Sequence, residues 1–178
     1  IDEIEDTNRV DYSRLPLVLE IYENVTQLEY NKPILEIQRE MMDQGVLDRQ
    51  PPSLFNGELK PFQSQGFVWM KSLYYRNVGG LLADDMGLGK TVQVIAFFTY
   101  LKNRGELSPS LIVVPKTLID NWFNELKKFA PSLLQSTYIY HGPEARNKAI
   151  DFNSFDLVIT TYETLIRQQI EMGQVDWQ

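Results

Sequence analysis

Lys90 and Thr91 follow a turn, Asp84-Asp85-Met86-Gly87-Leu88-Gly89, that joins a short apolar run to an amphipathic one. Those residue types at that spacing suit the holding of a polyphosphate. Main-chain N–H groups must point inward at the oxygens, and glycine lets the backbone approach them because it has no side chain. A helix beginning at Lys90 adds the positive potential of its N-terminus. In the phosphate-loop pattern the lysine ammonium reaches the β- and γ-phosphates and the following hydroxyl holds Mg²⁺. A nucleoside triphosphate with Mg²⁺ is therefore the expected ligand, cradled by Asp85, Met86, Gly87, Leu88, Gly89, Lys90 and Thr91. Lys90 and Thr91 would be the catalytic pair, with Thr91 as the metal contact. The strict pattern Gly-x-x-x-x-Gly-Lys-[Ser/Thr] fails at its first glycine, which here is Asp84. Carboxylates sit badly beside a polyanion, so Asp84 and Asp85 are expected to serve the loop's own amides by their side chains. An ordinary helix cap after a turn is the bland alternative, and the strand–loop–helix context weighs against it.

The elements that must position this loop alternate along 59–178. The spacing predicts a helix over 61–77, a short buried strand over 79–83, and a helix over 90–104 stopped by Gly105. Strands at 111–114, 136–140 and 157–160 are separated by helices at 117–129 and 144–152, and another helix starts at Glu163. Continuous apolar strands between helices argue for an α/β fold, a parallel sheet with helices on both faces. Ligands of such sheets gather at the carboxyl ends of the strands, where the loops 84–90, 115–117 and 160–162 would lie. Residues 1–58 read differently. Ser13 caps a helix through Leu15, Val18, Leu19 and Tyr22, and a second helix from Pro33 carries Ile34, Ile37 and Met41 up to Gly45. Gln50-Pro51-Pro52-Ser53 and Asn56-Gly57 interrupt, which puts the expected boundary between a short helical extension (1–58) and the lobe (59–178) at 48–58.

Composition narrows the class. Of 178 residues, 43% are hydrophobic and 23% charged, an ordinary globular mixture. The absence of cysteine excludes a disulfide framework and thiolate metal sites. No apolar run approaches the roughly 20 residues that span a bilayer, so no membrane partner is expected. The N-terminus has neither the basic start nor the apolar stretch of a signal peptide, and it lacks an initiator Met, as a piece of something longer would. The net charge of −7 is unevenly placed. Residues 1–58 hold 13 acidic against 5 basic residues, whereas 59–178 hold 11 against 12. The segment with the motifs is thus near neutral and compatible with a local basic strip for nucleic acid. His141, the single histidine, is expected to shape the turn before Gly142, and Trp69 and Trp122 to pack in the core.

Leu59-Lys60-Pro61-Phe62-Gln63-Ser64-Gln65-Gly66-Phe67-Val68-Trp69 and Leu82-Ala83-Asp84-Asp85-Met86-Gly87-Leu88-Gly89-Lys90-Thr91-Val92-Gln93 resemble the Swi/Snf-type ATPases, helicase-like double-stranded-DNA translocases of superfamily two. The likeness continues through Leu111–Trp122, Tyr140-His141-Gly142 and Asp156–Leu165, in the family's order. It implies a RecA-like lobe that binds ATP and Mg²⁺, with Gln63 on the family's adenine-reading position. Lys60 stands where the family commonly has Arg. The resemblance also implies DNA-backbone contacts at Pro115 and Lys116 and at Thr160, Thr161 and Tyr162. Hydroxyls, amides and one lysine can bind phosphates without reading sequence, although Thr160 and Thr161 would otherwise read as capping residues at a strand end.

The family's next element, a strand ending in Asp-Glu-x-His, is approached by Val175-Asp176-Trp177-Gln178, where the chain stops. The second RecA-like lobe with its arginine is the expected partner in hydrolysis, so this lobe is expected to bind nucleotide without turning it over. The wording of the motifs tilts towards bacterial members, a cytoplasmic nucleoid setting, and RNA polymerase or another DNA-bound protein as cargo; a eukaryotic origin would make it nuclear. A strand-separating helicase and a catalytically silent nucleotide-binding scaffold are the alternative readings.

Overall fold

A computed structural model describes residues 48–142 and 150–178. The helices expected over 13–22 and 33–45, and most of the one expected over 144–152, lie outside those residues.

Three parallel strands form the sheet: β1 (Ser110–Val114), β2 (Thr137–Tyr140) and β3 (Leu157–Thr161), in the order β1-β3-β2. The register pairs Val114 with Thr161 and Tyr140 with Thr160, so the carboxyl ends finish together. Every residue of β3 is buried, as befits a central parallel strand covered on both faces. Leu157 and Ile159 of β3 join Ile112 and Val114 of β1 in a core with helix α1 (Pro61–Tyr75), α2 (Lys90–Arg104) and α3 (Ile119–Phe129), represented by Phe67, Ile95, Leu101 and Leu126. On the opposite face Val158 packs with Tyr140, Phe152 and Met172. The period-2 alternation of β3 thus feeds two cores, which is why its sequence reads as a continuous apolar run. Each fully buried aliphatic side chain, such as Leu126, contributes about 1.5–3 kcal/mol.

Helix bounds follow local chemistry. Gly89 and Gly105 flank α2 with φ of 82° and 69°, left-handed values that end a helix at each side. α3 begins after a 3₁₀ turn, Lys116–Leu118, and is followed by a one-turn helix, α4 (Pro131–Leu134), absent from the sequence expectation. Phe152–Ser154 form a second 3₁₀ turn, opened by Asp151, whose carboxylate accepts the Asn153 amide at 3.1 Å. Beyond β3 come α5 (Tyr162–Arg167) and α6 (Gln169–Met172).

One expected element does not form. Residues 79–83 take no regular secondary structure and pair with no strand among the described residues, and Leu81 is 84% exposed. A strand is stable only with a neighbour to receive its hydrogen bonds, and none of the described residues lies alongside. β1 correspondingly keeps an open edge. Successive strand residues aim their amides and carbonyls to opposite sides. The Ser110 amide goes to Asp156, beside β3, so the Pro109 carbonyl faces the open edge. There it accepts the Gln178 amide at 2.9 Å, while the Ser108 amide donates to the Gln178 side chain at 2.7 Å. Gln178 is thus tied to the residues just before β1, and the sheet itself gains no fourth strand among the described residues.

The segment before α1 is packed into the lobe. The Phe55 ring stacks on Phe129 with centroids 5.5 Å apart, and the Asn56 amide donates to the Phe129 carbonyl. Lys71 of α1 is buried, with its ammonium donating to the Asp48 carbonyl at 2.5 Å and lying 4.3 Å from the Phe67 ring centroid. Burial pulls its pKa down to about 8, against the opposing pull of Asp48, with Arg104 adding to the fall. The folded lobe therefore binds fewer protons than the unfolded chain between pH 8 and 10.5, so its stability rises with pH across that window. The charge costs on the order of 2 kcal/mol at neutral pH, after allowance for residual hydration. Lys71→Met keeps the apolar stem and removes the titration. Urea melts of wild type from pH 7.5 to 9.5 should gain stability that the Met variant does not; parallel profiles would refute the burial effect.

Candidate nucleotide site and its neighbouring edge

The expected phosphate loop is a turn over 84–89 between the 79–83 segment and α2. Gly87 and Gly89 both take left-handed φ, 83° and 82°, a conformation that residues with a Cβ rarely adopt. A Cβ added at Gly87 would meet nothing within 4 Å. Met86 is 97% exposed at its tip. Lys90, the first residue of α2, folds its ammonium back into the turn. It donates to the Asp84 carbonyl at 2.5 Å and to the Asp85 carbonyl at 2.9 Å. An ammonium thus stands inside a loop whose amides belong to a helix start, and Thr91 follows it.

These donors fit a polyanion: a cation, flexible glycine amides and a helix N-terminus converge. They also fit Mg²⁺ in a limited way. Among the described residues no group of three His, Asp or Glu side chains is placed to hold a metal. A bound Mg²⁺ would rest chiefly on phosphate and water oxygens, with Thr91 as the protein contact, as this ion commonly does.

Gln63, the expected adenine reader, lies in the first turn of α1 and is buried. Its Oε1 accepts the Lys60 amide and its Nε2 donates to the Leu88 carbonyl, both at 2.9 Å. The side chain therefore ties the start of α1 to the turn. A Cβ at Gly89 would stand 2.6 Å from that Nε2, so the glycine leaves room for the tie. Asp84 is expected to serve the loop's own amides; instead its carboxylate accepts the side-chain amide of Gln93, on α2, at 2.9 Å. Gln93 closes the Leu82–Gln93 stretch that carries the family resemblance, but the sequence assigns it no role of its own. A fully buried amide on the inner face of an otherwise apolar stretch of α2 is the signal that could have found it.

The candidate nucleic-acid edge lies at the carboxyl ends of β1 and β3. Pro115 and Lys116 are exposed, as is Tyr162 at 55%. The two loops are neighbours electrostatically. The Glu163 carboxyl is held below its usual range by its own main-chain amide and the Thr161 hydroxyl, with Arg167 and Lys116 adding positive charge. Thr160 and Thr161 are buried and their hydroxyls face inward. Thr160 donates to the Tyr140 carbonyl at 2.7 Å; Thr161 accepts the Thr164 amide at 3.2 Å and so caps α5. Lys116, Tyr162 and main-chain groups are left to meet a ligand there, and the threonines shape the loop.

The family described as the SNF2-related domain matches residues 62–178. The chain belongs to that family. Its solved neighbours include the SWI2/SNF2 ATPase core of Sulfolobus solfataricus in complex with double-stranded DNA. That core is 39% identical with a TM-score of 0.64, over 71% of this chain and 26% of that one. The same core determined as a separate structure aligns with a TM-score of 0.66. The sheet is accordingly RecA-like, as the SNF2 resemblance implied. Nuclear protein STH1/NPS1 of Saccharomyces cerevisiae is 40% identical over 159 residues, 82% of this chain and 12% of that protein. The SWI/SNF chromatin-remodeling complex subunit snf22 of Schizosaccharomyces pombe is 36% identical over 162 residues, 88% of this chain and 9% of that protein. The SNF2-type chain thus spans about a tenth of the length of these relatives. They are yeast proteins, and the tilt towards bacterial members gains nothing from them. No helix among the described residues is long and apolar enough to cross a membrane.

Proposed function

We propose that this chain is the ATP-binding part of an ATP-dependent double-stranded-DNA translocase of the remodelling type. The observation that carries the proposal is the Lys90 ammonium, seated by two loop carbonyls at the start of a helix in a SNF2-family lobe. Met86–Thr91 would hold the phosphates of Mg·ATP with main-chain amides, Lys90 would offset their charge, and Thr91 would meet the metal. ATP supplies the transferable γ-phosphoryl group; this chain's residues bind and orient it. Gln63 would exchange its bond to Leu88 for the adenine edge, since one carboxamide both donates and accepts. Asp85 would contribute its backbone alone. A second RecA-like lobe would complete the hydrolytic site, so that this part alone binds nucleotide and turns it over poorly.

Duplex DNA would track over 115–117 and 160–162, held by Lys116, Tyr162 and main-chain amides through its phosphates. The DNA-bound structure of the Sulfolobus core supports a duplex as ligand. The names of the yeast relatives favour chromatin over RNA polymerase as the cargo and a nuclear setting over a nucleoid. The lobe boundary near 48–58 is part of the same proposal, with residues 1–58 as an extension whose end is anchored by Phe55 and Lys71.

The test is ATP hydrolysis by the full-length protein, titrated with duplex DNA and paired with displacement of a third strand from a triplex. Stimulation by duplex and displacement without strand separation are expected; release of a single strand from a plain duplex would replace translocation with unwinding. Lys116→Ala should lower duplex affinity and reduce the slope of log K against log salt by about 1, without changing ATP affinity. An unchanged slope would take Lys116 off the DNA path.

A further inference from the structure

We propose that Gln93 is a positioning residue for the phosphate loop, acting through Asp84; this rests on the nucleotide-site reading above. Asp84 occupies the place where the strict phosphate-loop pattern has glycine, and a carboxylate there must be kept from both the polyphosphate and Lys90. Gln93 does this from inside the fold. It lies nearly one turn beyond Lys90 on the inner face of α2 and is fully buried. Its Nε2 donates to the Asp84 Oδ2 at 2.9 Å. The reverse orientation would set two acceptors against each other, so chemistry fixes the amide this way round.

The other arm of the amide makes the role specific. Gln93 Oε1 is buried and accepts no hydrogen bond from the described residues. It points at Gly66 of α1, where a Cβ would stand only 1.9 Å from it. A buried carbonyl without a donor is unfavourable, and a neighbouring helix leaves out a side chain to accommodate it. The one bond this side chain makes is therefore what its position serves. Through that bond Asp84's carboxylate is drawn towards the helix interior, while its main-chain carbonyl is presented to the Lys90 ammonium at 2.5 Å. Freed from Gln93, the carboxylate would compete for Lys90 as an ion-pair partner or face the phosphates, and both lower nucleotide affinity.

Pair reversal tests this in the full-length protein, with a fluorescent ATP analogue as the probe for Kd, ATP turnover for KM and kcat, and thermal melts. Gln93→Leu should raise Kd and KM about tenfold, leave kcat within threefold and duplex-DNA affinity within twofold. Gln93→Glu sets two carboxylates together and should lose more. Gln93→Glu combined with Asp84→Asn restores a donor–acceptor pair with its polarity reversed, and should recover most of the affinity lost by Gln93→Glu alone. Kd and KM within twofold of wild type in Gln93→Leu would overturn the proposal. So would a loss in which nucleotide affinity, DNA affinity and melting temperature fall together and the reversed pair rescues none of them. Lys90→Ala run in parallel separates the two readings: near-normal turnover there would fell the nucleotide site and this inference with it. An inactive Lys90→Ala beside an unaffected Gln93→Leu would fell the inference alone.

Discussion

Lys90→Ala in the full-length protein should cut ATP turnover at least about a hundredfold while leaving the lobe folded. The ammonium has no core role: it is half-buried and, among the described residues, bonds to the carbonyls of Asp84 and Asp85, which can turn to water when it is removed. Its loss should therefore cost stability no more than about 1 kcal/mol. Its electrostatic role is of another size, because charge spreads over the transferred phosphoryl oxygens in the transition state. Deleting one such preorganised group commonly costs 10²–10³ in rate. Circular dichroism and melting temperature check the fold, and steady-state ATPase with and without duplex DNA checks the chemistry. Turnover near that of wild type would show that the loop does not grip the nucleotide.

The second large effect separates the two loop glycines. Both have left-handed φ, so an alanine at either position costs about 1–2 kcal/mol of backbone strain. Gly87 has open space around it, and Gly87→Ala should weaken ATP binding by about tenfold through strain alone. Gly89→Ala meets the same strain and also drives its Cβ against the Gln63 Nε2, 2.6 Å away. Gln63 cannot step aside freely, because it is buried and holds both the Lys60 amide and the Leu88 carbonyl. A further factor of at least ten is expected, with adenine selectivity over guanine reduced. Equilibrium titration with ATP and GTP measures both; equal losses for the two variants would mean that Gln63 does not couple to the loop.

Much of this was legible in the sequence, and for identifiable reasons. The bounds of α2 were readable because left-handed glycines mark both ends, and β1 and β3 because their apolar runs stop at Pro115 and at a threonine cap. Phosphate-loop chemistry was readable because it depends on local order along the chain. What depends on neighbours distant in sequence was not. The 79–83 run has strand composition, but pairing decides whether a strand forms, and none of the described residues pairs with it. Phe55 sits between two turn signals and reads as linker, yet it stacks on Phe129, more than seventy residues on. The bland reading of Thr161 as a cap holds for its side chain, since the hydroxyl reaches the Thr164 amide three residues away. Gln93 stood within the stretch that resembles the family, yet its role was not legible, because an amide where an apolar residue belongs has meaning only once Asp84 is seen to be its partner.

The unpaired side of β1 has a consequence for handling the protein. Ser110-Leu-Ile-Val-Val114 offers its row of main-chain donors and acceptors with neither a charged side chain nor a proline within the strand to deter visitors. An edge of that kind is sticky in proportion to protein concentration. Elution from a gel-filtration column over a dilution series would report whether the seam is occupied.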